Sequence, residues 1–349
     1  MFSRTQLDHC TFGTFETSVN SIHVGFCAMS FELILPFLRP IEPLLLDDSI
    51  SEIMGNPDAS WWYERDGIMR REGTISFDAG KLRTGLEVIA NQLGKKLDED
   101  NPVLHAQLPD GSRLAAVIPP VVRPSPALTI RKFTSRHYTV DDLINRGTLT
   151  RPLADFLAQQ IHTGKTLLIS GGTGTGKTTL LRILADFIPE QDRIVVIEDT
   201  SELHIQKPNI LAVECQTDTF KANISFDDLL KSALRWRPDR IILGEVRGIE
   251  ARTLLDSFNT GHAGSLATIH ANSAEKALRR FANLVMRNHA PTTFSDTEAE
   301  IGEAVDFVVH VERQPGHRVI REVLALRGYD RDAKRFLIEP VFEVKHAAA

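Results

Sequence analysis

The second half of the chain alternates short, uninterrupted apolar runs with segments in which apolar residues recur at helical spacing. The apolar runs are TLLIS, RIVVIED, ILAVE, RIILGE and SLATIH, and amphipathic stretches such as TTLLRILADF and SFDDLLKSALRW lie between them. Strands that are apolar on both faces and separated by helices are typical of a parallel sheet covered on both sides. We therefore predict an α/β domain over residues 150–349. Its last segments, DFVVHVER, VIREVLAL and RFLIEPVFE, predict an appended β-meander.

The first half shows a different pattern, in which predicted strands surround one long amphipathic segment. SWWYERDG and ALTIRKF predict strands, and VLHAQLPDGSRLAAVIPPVV predicts a hairpin around PDGS. The segment TGLEVIANQLGKKL predicts a helix, because its apolar residues follow helical spacing: Leu86, Ile89, Ala90, Leu93 and Leu97. These patterns indicate a smaller α+β domain over residues 37–135. A linker, residues 136–149, follows and carries one short helix with Thr139 as its N-cap.

An apolar segment near the start of the sequence, IHVGFCAMSFELILPFL at residues 22–38, is not predicted to be a membrane anchor. It contains His23 and Glu32 and is too short to span a bilayer. A secretion signal is disfavoured, since acidic residues precede the segment and no small-residue cleavage site follows it. We interpret residues 1–36 as a weakly ordered leader. Translation starting at Met1 or at Met29 stays open.

Composition narrows the class of protein. Apolar residues make up 42% of the chain and charged residues 25%, which is ordinary for a soluble globular protein. The formal net charge of -6 disfavours direct binding to nucleic acid, because such affinity depends on neutralising phosphates with basic residues. The cysteines Cys10, Cys27 and Cys215 form no CxxC pair, so neither a disulfide framework nor a structural zinc site is expected. This usage fits a reducing cytoplasm.

The segment LLISGGTGTGKTTLLRIL carries the strongest chemical signal. It matches G-x-x-x-x-G-K-[ST] through Gly171, Gly176, Lys177 and Thr178, between a predicted strand and a predicted helix. Glycines let backbone N–H groups wrap a phosphate, and the helix N-terminus adds a favourable dipole. The lysine supplies a cation to the β- and γ-phosphates, and the Thr178 hydroxyl can bind Mg²⁺. The predicted nucleotide-binding residues are Gly171, Gly172, Thr173, Gly174, Thr175, Gly176, Lys177, Thr178 and Thr179.

Acidic residues follow the next predicted strand. RIVVIEDTSEL ends in Glu198 and Asp199, and Glu202 comes three residues later. Ligands of parallel α/β sheets bind at the carboxyl ends of the strands. We therefore predict that Glu198 and Glu202 assist catalysis, by holding Mg²⁺ through water or by orienting the attacking water. The alternative is a solvated acidic loop that caps a helix.

A further acid ends the strand RIILGE. Glu245 emerges from a short apolar run and is followed by Arg247. An acid at this position opposite a P-loop is suited to act as general base or as a metal-linked carboxylate. We predict that Glu245 is catalytic and that it binds Mg²⁺ together with Thr178, partly through water. The alternative is an ordinary salt bridge between Glu245 and Arg247.

The stretch GHAGSLATIHANS adds a histidine to the same edge of the sheet. His270 ends the strand SLATIH, so we predict that it points toward the γ-phosphate region and senses its hydrolysis. His262 precedes the strand in a turn, where a functional and a structural role are equally open. For a lone histidine, a hydrogen-bonded structural role is the usual alternative.

These segments together resemble a known family. A P-loop, then IEDTSEL, then ILGEVRG, then TGHAGSLATIHANS, in this order, is similar to the secretion-superfamily ATPases of type II and type IV systems. LRPIEPLLLDDSISEIMGNPDASWWYERDG, GSRLAAVIPPVV and TIRKF look like the N-terminal domain of the conjugal-transfer and type IV secretion branch. The resemblance covers about residues 36–345. The tetracysteine zinc element of the type II and pilus-assembly branch is absent, which favours the type IV-like branch.

The resemblance implies a smaller N-terminal α+β domain that is followed in the sequence by a RecA-like P-loop NTPase domain. It implies a cytoplasmic homo-hexamer that hydrolyses ATP with Mg²⁺ to power type IV-like secretion, conjugal transfer or pilus assembly. Inner-membrane components of such a complex would be its partners and would hold it at the inner face of the membrane. By position, Arg113 and Arg131 would be the N-terminal arginines that reach the phosphates. The alternative is that both are exposed strand residues.

Other functions stay open at this stage. One is a nucleotide-gated scaffold with little turnover, and another is a DNA translocase, which the acidic balance disfavours. A P-loop kinase or GTPase is disfavoured too, because the chain has no [NT]KxD element and no arginine-rich lid after the P-loop.

Overall fold

A computed structural model describes residues 34–65, 67–133, 138–215, 223–287, 292–314 and 317–344. The chain divides into two compact units, one made of Met1–Glu64 and Met69–Phe133 and the other of Arg65–Ile68 and Thr134–Ala349. Most of the predicted leader, with Cys10, Cys27 and Met29, lies outside the described residues. Within the described ranges, no helix combines the length and apolar composition that a membrane span requires.

The first unit is a six-stranded sheet with helical segments. Two short 3-10 turns, Leu35–Phe37 and Arg39–Ile41, precede the regular elements. Those elements are α1 (Glu42–Leu46), β1 (Ile50–Gly55), β2 (Trp61–Arg65), β3 (Ile68–Glu72), α2 (Ala79–Gln92), β4 (Val103–Gln107), β5 (Arg113–Val117) and β6 (Ala127–Arg131). The strand order is β3-β2-β1-β6-β5-β4. The predicted hairpin is confirmed as β4 and β5, which pair antiparallel from Val103 and Val117 to Gln107 and Arg113.

The predicted helix of this unit is present but shifted toward the N-terminus. Asp78 caps α2 by accepting a hydrogen bond from the backbone N–H of Lys81, so the helix begins before the apolar segment does. It ends at Gln92, and Gly94 follows in a left-handed conformation with φ of 69°. The predicted extension of the helix to Leu97 was therefore wrong.

The second unit contains an eight-stranded sheet. Its elements are α3 (Val140–Asn145), α4 (Arg151–His162), β7 (Leu167–Gly171), α5 (Lys177–Ala185), β8 (Ile194–Glu198), β9 (Ile210–Glu214), α6 (Phe226–Ala233), β10 (Arg240–Val246), α7 (Glu250–Asn259), β11 (Leu266–His270), α8 (Ala274–Met286), α9 (Phe294–Ala304), β12 (Phe307–Gln314), β13 (His317–Asp330) and β14 (Arg335–Glu343). The strand order is β14-β13-β12-β7-β11-β10-β8-β9. Strands β12 to β9 in this order are parallel, whereas β13 and β14 add antiparallel. The predicted meander is thereby confirmed.

The parallel strands are apolar on both faces because each face covers a separate core. In β7, Leu168 packs in one hydrophobic cluster, while Leu167 and Ile169 pack in the other. In β10, Ile241 and Leu243 pack in the first cluster with Leu168, and Ile242 between them packs in the second. The predicted α/β class, with its parallel sheet covered on both sides, is confirmed. The carboxyl ends of β7, β8, β10 and β11 meet at one edge, where the predicted chemistry lies.

Candidate nucleotide site

The P-loop connects the central strand β7 to the helix α5. Gly174 and Gly176 have φ of 69° and 88°, a left-handed conformation that favours glycine and allows the tight turn. Gly176 is also the N-cap of α5, so Lys177 and Thr178 open the helix. The first backbone N–H groups of α5 have no partner within the helix and are suited to bind an anion. The turn and the helix start therefore have the form of a phosphate cradle.

Lys177 joins the P-loop to the end of the neighbouring strand. Its Nζ donates a hydrogen bond to the carbonyl of Gly172 at 2.8 Å and lies 3.4 Å from Nδ1 of His270. The side chain is buried. His270 is next to Gly171 in the register of the parallel strands β11 and β7. The structure thus brings the predicted lysine and the predicted histidine into contact.

Glu245 links the histidine to an arginine. Its Oε1 lies 3.0 Å from Nε2 of His270, and its Oε2 accepts a hydrogen bond of 2.8 Å from the guanidinium of Arg247. The same guanidinium lies 3.1 Å from the carboxylate of Asp199. The contact of Glu245 with His270 and its salt bridge with Arg247 therefore coexist. Because both oxygens are engaged, Mg²⁺ would meet this carboxylate through water or by replacing one partner.

The environment of His270 determines its protonation state. Partial burial and the cation of Lys177 lower the pKa of His270, while the carboxylate of Glu245 opposes them. A neutral ring has one donor and one acceptor nitrogen. Nε2 faces a carboxylate, which only accepts, so it carries the hydrogen; Nδ1 faces an ammonium group, which only donates, so it accepts. The neutral ring therefore accepts a hydrogen bond from Lys177 and donates one to Glu245.

Glu198 ends β8 and is buried, with only 5% of its surface exposed. Its Oε1 accepts hydrogen bonds from the backbone N–H groups of Glu202 and Leu203, at 3.0 and 3.1 Å. Burial nevertheless raises the pKa of Glu198 to about 7. The alternative of a solvated acidic loop does not describe this carboxyl, and no helix starts at residues 201–207. Glu202 is half-buried beside it.

The meander contributes residues that the sequence analysis missed. Arg318, on β13, donates a hydrogen bond of 3.1 Å to the carbonyl of Gly174 and so fixes the tip of the P-loop. His310, on β12, lies 2.8 Å from the hydroxyl of Ser170 beneath the loop, and burial lowers the pKa of His310. Neither residue lies in a recognisable motif. The parallel pairing of β12 with β7 places His310 here, and the antiparallel pairing of β13 with β12 places Arg318; the sequence revealed neither position.

Metal binding at this edge would need more than protein side chains. Among the residues that the structure describes, no group of three or more His, Cys, Asp or Glu side chains could hold a metal ion. Thr178 and Glu245 can supply a hydroxyl and a carboxylate, and Mg²⁺ ordinarily completes its octahedron with water and substrate phosphates. The residues present therefore fit an ion that arrives with a nucleotide.

His262 and His270 lie at opposite ends of β11. Nδ1 of His262 lies 2.8 Å from the carbonyl of Pro238, and its own carbonyl accepts a hydrogen bond from the Ser265 hydroxyl. Both contacts stabilise the turn at the amino end of the strand. The structural role is thus the one that the geometry of His262 favours.

Arg113 and Arg131 belong to the first unit. They lie directly opposite each other in the antiparallel pairing of β5 and β6. Arg131 is exposed, with its Nε 4.0 Å from the carboxylate of Glu52, while Arg113 is half-buried. The structure therefore groups the two arginines into one basic pair, although they are 18 residues apart in the sequence.

Comparisons with known proteins identify the family and the fold. The type II/IV secretion system protein family matches residues 38–321. The conjugal transfer protein TrbB of Rhizobium radiobacter is 38% identical over 290 residues, which cover 81% of this chain and 86% of that protein. The type IV secretion system protein PtlH of Bordetella pertussis is 34% identical over 320 residues, covering 82% and 92%. In fold, the structure resembles the Legionella pneumophila ATPase DotB, with a TM-score of 0.55 and 18% identity over 89% of this chain and 83% of that one.

Proposed function

This chain belongs to the type II/IV secretion system protein family, and from that premise we propose that it hydrolyses ATP with Mg²⁺ as a hexameric motor. The motor would power type IV-like secretion, conjugal transfer or pilus assembly, and the first two are the processes that the names of PtlH and TrbB give. The observation that carries the proposal is the path of contacts from Lys177 through His270 to Glu245, beside the P-loop at the carboxyl ends of β10 and β11. A cation for the phosphates and a carboxylate that can position water are groups that phosphoryl transfer to water uses, and His270 connects the two.

Each residue of the path has a separate task. Lys177, now bonded to the carbonyl of Gly172, would turn to the phosphates and stabilise their negative charge. The P-loop amides would hold the β-phosphate. When bound, Mg²⁺ would neutralise phosphate charge beside the Thr178 hydroxyl. Glu245 would orient the attacking water and accept its proton, and His270 would report the loss of the γ-phosphate through its bond to Glu245.

The remaining predicted residues support this centre. Glu198 and Glu202 would shape the acidic strand end beside it. Arg113 and Arg131, held as a pair on β5 and β6, would supply the guanidinium groups that contact the phosphates. We propose a cytoplasmic location, with attachment to the inner face of the membrane through partner proteins.

The decisive experiment measures phosphate release and ATP binding in two variants. Lys177→Ala should lose both turnover and tight binding, because the phosphate charge loses its cation. Glu245→Gln should still bind ATP but release phosphate at least about 100-fold more slowly, since a general base contributes roughly 10²–10⁴-fold. Glu339→Gln, which removes an exposed carboxylate paired with Arg327 on the meander, is the matched control and should behave as wild type.

Other outcomes would point to the competing functions. Wild-type-like hydrolysis by Lys177→Ala would remove the assignment of this loop. Tight ATP binding without measurable turnover in the wild type would favour a nucleotide-gated scaffold. Hydrolysis stimulated by DNA, together with salt-sensitive DNA binding, would favour a translocase.

A further inference from the structure

The solvent-facing side of α8 carries a row of basic residues. Lys276, Arg280, Asn283 and Arg287 are all exposed and are spaced by four, three and four residues, so they lie on one face of the helix. We call these four residues the basic face of α8. At a rise of 1.5 Å per residue, the face is about 16 Å long. Three of its four residues are cations, on a chain whose net charge is -6.

Internal ion pairs do not neutralise the basic face. Arg279, on the adjacent side of the helix, is paired with Glu275 at 3.3 Å. For Lys276, Arg280 and Arg287, by contrast, no carboxylate of the described ranges lies within salt-bridge distance. Charged side chains on a folded surface are free to bind an external anion when no internal partner competes for them.

The basic face forms one wall of a groove that starts at the P-loop. The groove has a volume of about 770 Å³, and its other lining residues include Gly172, Thr173, His270, Asn272 and Arg279. Ala271 adds a small apolar surface, whereas Leu284 belongs to the hydrophobic core and has only 1% of its surface exposed. The groove therefore offers guanidinium groups, an ammonium group and side-chain amides side by side.

The chemistry of the lining distinguishes between classes of anionic partner. Arginine forks match carboxylates and phosphates equally well. Binding of single-stranded nucleic acid, however, also uses aromatic side chains on which bases stack, and no described residue lining this groove is aromatic. The lining therefore favours the carboxylates of a protein segment over a single-stranded nucleic acid.

We propose that the basic face of α8 is a docking site for an acidic segment of a partner protein, which binds beside the nucleotide. Carboxylates of that segment would pair with Arg280, Arg287 and Lys276. The proposal adds a protein-binding surface to the proposed function and does not require hydrolysis. Asn283 would contribute hydrogen bonds from the middle of the basic face.

The test uses the full chain and a fluorescein-labelled peptide of repeating Glu-Ala as the probe. Binding is followed by fluorescence anisotropy, without nucleotide and at low salt. The double variant Arg280→Gln/Arg287→Gln should bind the peptide at least about tenfold more weakly, which corresponds to roughly 1.4 kcal/mol. The control is Arg327→Gln/Arg331→Gln, which removes two exposed guanidinium groups outside the groove, and it should bind nearly as well as wild type.

Three results would overturn the proposal. The first is no saturable binding of the peptide to the wild-type chain. The second is an equal loss in the control, which would show that only total charge matters. The third is tighter binding of an oligonucleotide, lost in the same double variant, which would assign the face to nucleic acid. Melting temperatures of the variants, measured in parallel, show that each is folded.

Discussion

At the scale of single residues, Glu198 is the carboxyl whose surroundings change its chemistry most. It is buried at the end of β8, and its two backbone donors do not compensate for the loss of water, so its pKa rises to about 7. In an unfolded chain the same group titrates near 4.5. The folded state therefore binds a proton more tightly than the unfolded state between these two pH values. Stability falls as pH rises through this window.

Replacing Glu198 by Gln tests this effect. The amide keeps an oxygen that can accept the N–H bonds of Glu202 and Leu203 but has no charge to bury. As the pH rises from 5 to 8, the wild type should lose about 3 kcal/mol of stability that the variant keeps, since one pKa unit corresponds to about 1.4 kcal/mol.

Melting temperatures at both pH values, without nucleotide, measure the gain. The variant should melt above wild type at pH 8 and close to it at pH 5. A difference that is the same at both pH values would show that Glu198 does not titrate in this range.

The sequence predicted which residues meet at this edge better than how they pair. Lys177, Glu245 and His270 follow separate buried strands, and parallel strands bring their carboxyl ends together, so their proximity was predictable. The double pairing of Arg247 was not, because nothing in the sequence shows that Asp199 and Glu245 lie on either side of one guanidinium. Arg318 was missed for the same reason, since its contact spans 144 residues.

At the scale of elements, the turn before β11 is held by an arginine from the neighbouring strand. Arg240, at the start of β10, is buried and pairs with Asp192 at 2.8 Å. Its guanidinium lies so close to Gly264 that a Cβ there would be 1.4 Å from a guanidinium nitrogen and 2.8 Å from the Cα of Gly164. Gly264 also has a left-handed φ of 82°. A side chain at this position would displace both the arginine and the backbone.

Gly264→Ala should therefore destabilise the second unit without touching the nucleotide site. The matched control is Gly261→Ala in the same turn, where φ is 103° but no atom lies within 4 Å of the added Cβ. Both variants place an alanine in a left-handed conformation, which costs stability. Only Gly264→Ala also disturbs the buried pair of Arg240 and Asp192, which should lower the free energy of unfolding by at least about 2 kcal/mol more.

This difference corresponds to a melting temperature about 4–8 °C below that of the control. Thermal unfolding followed by circular dichroism measures it. Equal melting temperatures for the two variants would contradict the steric argument.

Elements were predictable where the apolar pattern is unambiguous. The parallel strands are continuous apolar runs of about five residues, and both faces are buried, so their positions were confirmed almost to the residue. The short helix within the linker was confirmed too, because Thr139 and Asp142 form a capping box. The strand β3 was missed, since four of its five residues are exposed and it has no apolar face to reveal it. The helix α4 was missed as well, although Thr150 caps it and a proline lies in its first turn.

At the scale of the whole molecule, the proposed motor requires assembly. Its charge distribution is uneven, with a net charge of -6 but an unneutralised basic face on α8. The predicted domain division, 37–135 and 150–349, and the hexamer stay predictions. Fold class and family followed from the order of the motifs, whereas assembly depends on surfaces that no motif describes.

Solution mass tests the assembly. Glu245→Gln should form a hexamer with Mg-ATP, because it holds the nucleotide without consuming it, and a smaller species should be present without nucleotide. Light scattering coupled to size-exclusion chromatography gives both masses. A monomer in both conditions, with turnover intact in the wild type, would leave a P-loop hydrolase and remove the ring.

The central position of β7 in its sheet determines how its amide protons exchange with solvent. The strand is hydrogen-bonded to β12 on one side and β11 on the other, and all five of its residues are buried. Its amide protons can therefore exchange with solvent deuterium only when the whole second unit opens, whereas those of the outer strands β9 and β14 exchange through local fraying. The loop that would grip the nucleotide is thus tethered to the slowest-exchanging part of the unit, and nucleotide should slow exchange in the loop while leaving β7 unchanged.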